Sequence, residues 1–390
     1  MISTRPTIPA ARFAERLAAA RDLAGDAGLS AILVGVGADM RYLAGYAAMP
    51  LERLTMLVIP AAGDPSLVVP RLEAAPARLA PPAAAGLLPI VTWDEGDDAH
   101  ALVASLVRGP LPTPSASGVR LAVSDDLPAR HLLPLEERLA NPRISLASAH
   151  LREIRMVKDA DEIALLTLAA QAADRVVAQI AGSRLVGRTE ADVARDVRER
   201  LLAEGHDEAL FAIVGSGPNS ASPHHEASDR VIQPGEPIVL DIGGVLGGYG
   251  SDTTRTLWVT GGDQANGPDE RFRHLFAVLL GAQAAATRAV RPGIACEAVD
   301  AAARRPIEAE GYGDAFFHRT GHGIGLEGHE EPYIIGGNRE PLREGMAFSV
   351  EPGIYLPGEY GARIEDIVVC GPDGPVALNE SSRELYVVDG

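Results

Sequence analysis

The segment IVLDIGGVLGGYGSDTTRTLW, residues 238–258, decides how this chain is read. Ile238 to Leu240 form an apolar run that ends in Asp241, and the glycine-rich stretch Gly247-Gly248-Tyr249-Gly250-Ser251 delivers Asp252 into a second run, Thr253 to Trp258. The offset of 11 residues between the two aspartates is enough for two paired strands and a tight turn. Directly opposed side chains on such strands lie roughly 5 Å apart, within reach of cations that share a carboxylate. An acid at the end of an apolar run is expensive to bury without a positive partner. An acid beside glycine is also a common turn former, so the hairpin alone does not make a site.

The same device recurs with glutamates further along the chain. Phe348-Ser349-Val350-Glu351-Pro352-Gly353 and Ala362-Arg363-Ile364-Glu365-Asp366 carry two more acids, 14 residues apart. Arg363 and Glu365, two positions apart, are expected to share a strand face on which the guanidinium orients carboxylates, with Asp366 pointing the other way. His322 stands in Thr320-Gly321-His322-Gly323-Ile324-Gly325, where the flanking glycines allow close backbone approach. A neutral imidazole is a good ligand for Mn, Fe, Co or Zn. Four carboxylates and one imidazole suit a pair of divalent cations, which can generate hydroxide and clamp the oxyanion it creates. A hydrolytic metalloenzyme is the expectation.

Outward from this core, the chain of 390 residues is too long for one ordinary domain. Residues 1–150 read as an α/β module: a helix over 10–28, strands at 31–34, 54–59, 66–69, 119–123 and 144–146, and helices near 98–108 and 127–139. A Pro/Ala-rich passage, 76–89, and a loop, Gly109 to Ser115, punctuate that module. Residues 151–390 read as an α+β domain with a mixed or antiparallel sheet. Its helices are expected near 159–180, 190–204, 268–290 and 297–310, and its strands at 209–214, 237–242, 253–259, 346–350 and 363–369.

Composition narrows the function classes. A net charge of −18 argues against a nucleic-acid groove and an anionic membrane surface, both of which favour Lys and Arg. The N-terminal stretch MISTRPTIPAARFAERLAAARDLAG has no continuous apolar core, and nothing elsewhere is expected to span a membrane. Two distant cysteines, Cys296 and Cys370, make a disulfide framework improbable and point to the cytoplasm. Gly35-Val36-Gly37 lacks the next glycine of a dinucleotide fingerprint, and Gly215-Ser216-Gly217 lacks the frame of a serine hydrolase.

The strings YGSDTTRT, HRTGHGIGLEGHEEPY, SVEPGIY and ARIED, in this order, resemble the motifs of the pita-bread metallopeptidases, the family of methionine aminopeptidase, Xaa-Pro aminopeptidase and prolidase. The N-terminal module is similar in size to the extra domain of the proline-specific members. The resemblance implies a pita-bread (creatinase/aminopeptidase-like) catalytic domain behind a smaller α/β domain, in a homodimer. It implies that Asp241 binds one metal, that His322 and Glu351 bind the other, and that Asp252 and Glu365 bridge the two. It assigns His224 and His329 to the substrate carbonyl or oxyanion, with His225 the competing choice in the first segment. Glu351 takes and returns the proton after a metal-bridging hydroxide attacks.

The substrates implied are small peptides with proline at the second position. The ions implied are two divalent metals, Mn first and Co or Zn as alternatives. Some prolidases carry an arginine four residues beyond the second site histidine to hold the substrate carboxylate; here that place is Tyr333. Arg339, Arg343 or a second subunit's N-terminal domain could close the gap, so dipeptidase and aminopeptidase stay open. A catalytically altered or metal-free relative is the competing reading, and its expected signature, loss of several ligands, is not met.

Overall fold

The computed structural model describes residues 5–108 and 118–390, in two compact units that part between Arg155 and Met156. The loop expected at Gly109 to Ser115 lies outside the described residues.

In the N-terminal unit, six short strands build one sheet: β1 (Ala31–Val34), β2 (Met56–Pro60), β3 (Ser66–Pro70), β4 (Ile90–Trp93), β5 (Arg120–Val123) and β6 (Arg143–Leu146). Their order is β4-β3-β2-β1-β5-β6, with β2 antiparallel to both β1 and β3 and the other pairs parallel. Helices Ala99–Arg108 and Ala129–Arg138 give Val103, Val107 and Leu135 to the core beneath it. The Pro/Ala passage is not an open loop. It winds into two single-turn helices, Ala74–Ala77 and Pro81–Ala84, the second opened by proline at a position that needs no N–H. β4 escapes sequence reading because its four residues are only half-buried at the sheet edge.

The boundary expected after residue 150 falls five residues later. Helix Ser148–Met156 stays with the N-terminal unit because Tyr42 Oη donates to the Ile154 carbonyl at 2.8 Å and Arg155 pairs with Asp39 at 2.7 Å.

The C-terminal unit contributes β7 (Glu208–Ser216), β8 (Glu236–Leu246), β9 (Tyr249–Val259), β10 (Gly321–Gly323), β11 (Glu330–Ile334), β12 (Ala347–Val350), β13 (Gly353–Leu356), β14 (Tyr360–Arg363), β15 (Asp366–Gly371), β16 (Gly374–Ala377) and β17 (Tyr386–Val388). They form a four-stranded sheet, β17-β9-β8-β7, a five-stranded sheet, β11-β10-β12-β15-β16, and the separate hairpin β13-β14. Helices Ala160–Ala181 and Glu190–Ala203 pack on the first sheet. Helices Glu270–Ala289 and Cys296–Ala309 share a core with the second.

Helix Ala160–Ala181 opens on a capping box, in which Asp159 accepts from the Glu162 N–H and Glu162 from the Asp159 N–H. By length and composition it is apolar enough to cross a membrane. Its stripe of Ala173, Val176, Val177 and Ile180 is instead buried against strand residues Val214, Leu240 and Leu257.

The strand expected over 363–369 is broken in two. Arg363 closes β14 opposite Gly353 of β13, whereas Asp366 opens β15 opposite Val350 of β12. The break leaves Ile364 and Glu365 between strands that belong to different sheets.

Candidate metal centre

β8 turns into β9 through Gly247 and Gly248, whose φ angles of 61° and 98° suit a two-residue hairpin turn that other residues rarely adopt. Around that turn Asp241 faces Thr254, and Asp252 faces Gly243. The aspartates are therefore diagonal neighbours on one face, not directly opposed as their spacing predicts. Between them, Thr254 is the residue that reading missed. Its hydroxyl donates to Glu365 Oε2 at 2.7 Å, and its carbonyl accepts the Glu365 N–H, tying the chain break to the hairpin. Thr254 lies two residues from Asp252 on the same face, a signal present in the sequence.

His322 sits on β10 between glycines that have no room for a side chain. A Cβ at Gly321 would run into the Ser349 carbonyl and one at Gly323 into the Glu331 carbonyl. His322 Nδ1 lies 3.1 Å from the Gly323 oxygen, an acceptor only, so that nitrogen carries the hydrogen. Nε2 is left with its lone pair among the acids, 3.6 Å from Asp252 Oδ2 and 3.4 Å from Glu351 Oε1. Ser349 accepts the His322 N–H and donates to Glu351 Oε1 at 3.3 Å.

All five expected ligands thus converge. Their donor atoms form interlocking sets, Asp241, Asp252 and Glu365 on one side and His322, Glu351 and Glu365 on the other, with atoms within 4.8 Å of one another in each. A third set joins Asp252 and His322 to His329. Asp241 Oδ1 and Glu365 Oε1 are buried without a hydrogen-bond partner among the described residues. Burial, then Glu365, Asp241 and Glu351, raise the Asp252 pKa well above the usual range; burial, then Glu351 and Asp241, do the same to Glu365. Burial pushes Glu351 up to about 7 against the pull of Arg363, and burial followed by His329 takes His322 down to about 3, keeping it neutral. Carboxylates this dry and crowded need concentrated positive charge to stay ionised together, and the orphaned oxygens need a partner. The donor set fits divalent cations.

Arg363 cannot supply all of that charge. Its guanidinium is 2% exposed and fully engaged, with Asp241 Oδ2, the Pro223 carbonyl, Thr254 Oγ1 and Tyr355 Oη all accepting from it. Tyr355 Oη also lies 3.0 Å from His318 Nε2, whose other nitrogen faces the Arg319 carbonyl. A tyrosine and a histidine that the sequence reading left aside therefore brace Arg363. Asp366 does point away, into Arg255 and Arg383.

A cavity of about 860 Å³ opens over these groups. His224 and His329 line it, together with Leu210, Phe211, Ile213, Phe317 and Ile335, whose apolar surface can receive a ring. His225 is turned onto Glu190. His329 Nδ1 accepts from Arg319 at 3.0 Å, because a guanidinium only donates, and so Nε2 carries the hydrogen. Tyr333 carries the Arg319 guanidinium 4.5 Å from its ring centre. Arg339 and Arg343 are not among the lining residues, and Arg339 leans toward Glu297. Cys296 and Cys370 are buried and unpaired; burial pushes the Cys296 thiol up to about 12, far from nucleophilic use.

The model of metallopeptidase family M24 matches residues 164–372, and that of the creatinase/prolidase N-terminal domain matches residues 16–157. A Mycobacterium tuberculosis protein named "Probable dipeptidase PepE" is 48% identical over 377 residues, 96% of each chain. An "Xaa-Pro dipeptidase" of Pyrococcus furiosus is 37% identical over 236 residues, 60% of this chain and 66% of that one. The crystal structure of dipeptidase PepE from Mycobacterium ulcerans superposes with a TM-score of 0.89 at 47% identity, covering 98% of this chain and 99% of the other. The architecture is a creatinase-type N-terminal domain followed by a pita-bread domain, as the motifs imply.

Proposed function

The chain belongs to metallopeptidase family M24, and we propose that it is a two-metal Xaa-Pro dipeptidase that hydrolyses the bond before proline. The observation that carries this reading is the pair of interlocking donor sets joined at Glu365, with orphaned carboxylate oxygens inside a substrate-sized cavity. Asp241 would hold one cation, His322 and Glu351 the other, and Asp252 and Glu365 would be shared. When bound, the cations supply an acidified water and a positive clamp for the carbonyl oxygen. A carboxylate-rich set favours a hard ion such as Mn, with Co and Zn the alternatives.

The chain's own residues do the rest. Glu351 accepts the proton of the attacking water and returns it to the leaving nitrogen. His329 offers Nε2–H toward the cavity, and with His224 it holds the carbonyl oxygen as charge develops there. Arg363 keeps Asp241 oriented. The leaving side of an Xaa-Pro bond has a ring and no N–H, which matches the apolar wall of Phe317, Ile335 and Phe211. That similar proteins carry the name dipeptidase supports reading a dipeptide, over a longer peptide, as the substrate here.

The test compares hydrolysis of an Xaa-Pro dipeptide with that of an Xaa-Pro-Yaa tripeptide under Mn²⁺, Co²⁺ and Zn²⁺. The dipeptide is expected to be the faster substrate. A faster tripeptide makes the chain an aminopeptidase, and no turnover of either removes the proline reading.

A further inference from the structure

A dipeptide presents its free carboxylate one residue from the scissile bond, in a cavity floored by Asp241, Asp252, Glu351 and Glu365. The cations proposed for that floor are committed to its carboxylates and to the scissile carbonyl, so the terminal carboxylate needs a separate cation close to the site yet outside the acid cluster. Only two arginines are among the lining residues, Arg319 and Arg363. Arg363 is spent: it is buried, paired with Asp241, and its remaining donors go to Pro223, Thr254 and Tyr355.

Arg319 is different in each respect. It is half-buried, and among the described residues it forms no ion pair with a carboxylate. One nitrogen donates to His329 Nδ1 at 3.0 Å, placing the group one imidazole away from the ligand His322, whose ring centre is 3.8 Å from that of His329. The guanidinium carbon stands over the Tyr333 ring, 4.5 Å from its centre. Tyr333 is itself pinned on both sides, its N–H donating to Glu331 Oε2 at 3.2 Å and its carbonyl accepting from Asn338 at 2.7 Å. A guanidinium laid on a fixed aromatic face loses little freedom on binding and keeps the remaining edge of its fork for a ligand.

We propose that Arg319, seated on Tyr333, binds the C-terminal carboxylate of the dipeptide and so sets the length of substrate this site accepts. A carboxylate meets the free edge of the fork through charge-assisted hydrogen bonds. The same residue then serves two ends of the reaction, fixing the His329 tautomer with one nitrogen and the substrate terminus with the others. The inference rests on the dipeptidase reading above.

The experiment compares Ala-Pro with Ala-Pro amide, equal in length and differing in the terminal charge, using the divalent-metal-loaded protein. The unaltered chain should prefer the acid. Arg319→Met should raise KM for the acid roughly 10- to 100-fold while KM for the amide moves little, so that the preference collapses. Any fall in kcat from the loosened His329 should be common to both substrates. Arg319→Lys should recover part of the preference, and Tyr333→Leu, which removes only the platform, should lose part of it. Melting temperatures of the variants report that they are folded.

If Arg319→Met keeps the acid preference, or if both substrates lose the same factor in kcat/KM, Arg319 merely orients His329 and the inference is overturned while the peptidase reading stands. If the unaltered protein hydrolyses neither substrate, the dipeptidase reading fails and takes the inference with it.

Discussion

His225 Nε2 stands 2.7 Å from Oε2 of the buried Glu190, while its chain neighbour His224 lines the cavity. Adjacent histidines that read alike in sequence are therefore placed differently, one lining the cavity and the other holding the loop. His224→Ala is expected to cut kcat by about 10²-fold or more with little change in stability, the size of effect seen when a positioned proton donor is lost. His225→Ala is expected to cost about 1–2 kcal/mol of stability by leaving a charged acceptor short of a donor. Steady-state kinetics beside urea denaturation separates them, and the reverse pattern would assign the site to His225.

Glu190 anchors that loop from the start of its helix. It accepts from Ser216, Asn219 and Ser228 as well as His225. Burial alone would raise its pKa, but the hydrogen bonds, those of Ser228 and Ser216 foremost, outweigh burial and hold it at about 2, below an ordinary 4.5. A depressed folded-state pKa contributes stability that is complete above about 4.5 and is lost as pH falls toward about 2. The linkage amounts to about 3 kcal/mol. Urea midpoints measured between pH 5 and pH 2.5 should therefore fall less steeply in Glu190→Gln than in the unaltered chain. Identical slopes would show that Glu190 does not titrate with folding.

Gly321 makes a prediction of another kind. His322, the proposed ligand, reaches its place because β10 lies against the Ser349 backbone with no Cβ between them. Gly321→Ala must push the strand away, at a cost of about 1–3 kcal/mol. Because a bound ion stabilises only the folded form, the rise in melting temperature on adding divalent cation should shrink as well. A variant that keeps both its stability and its metal response would show that the close approach is not needed.

The parts legible in the sequence are those with local signals. Apolar runs ending in acids, a double-glycine turn and a glycine-flanked histidine gave the five converging residues without any view of their contacts. The diagonal placement of Asp241 and Asp252 was not legible, because register depends on where the two-residue turn falls within Gly247-Gly248-Tyr249-Gly250, a run of three glycines and a tyrosine. Nor was the chain break at Glu365, since Arg363 and Asp366 pair with strands of different sheets, a tertiary choice. Arg319 stood inside a quoted motif, yet its role depends on Tyr333, 14 residues away, rising beneath it. The same substitution-like gap at Tyr333 that seemed to remove a cation is what seats one.

The most direct test of the account is a divalent-metal titration of the chelator-stripped chain, followed by Ala-Pro hydrolysis. Two equivalents of ion should bind per chain, activity should appear only as they do, and Asp241→Asn should lose at least one equivalent together with the activity. Undiminished Ala-Pro turnover by the stripped protein, or by Asp241→Asn with no bound metal, would contradict it.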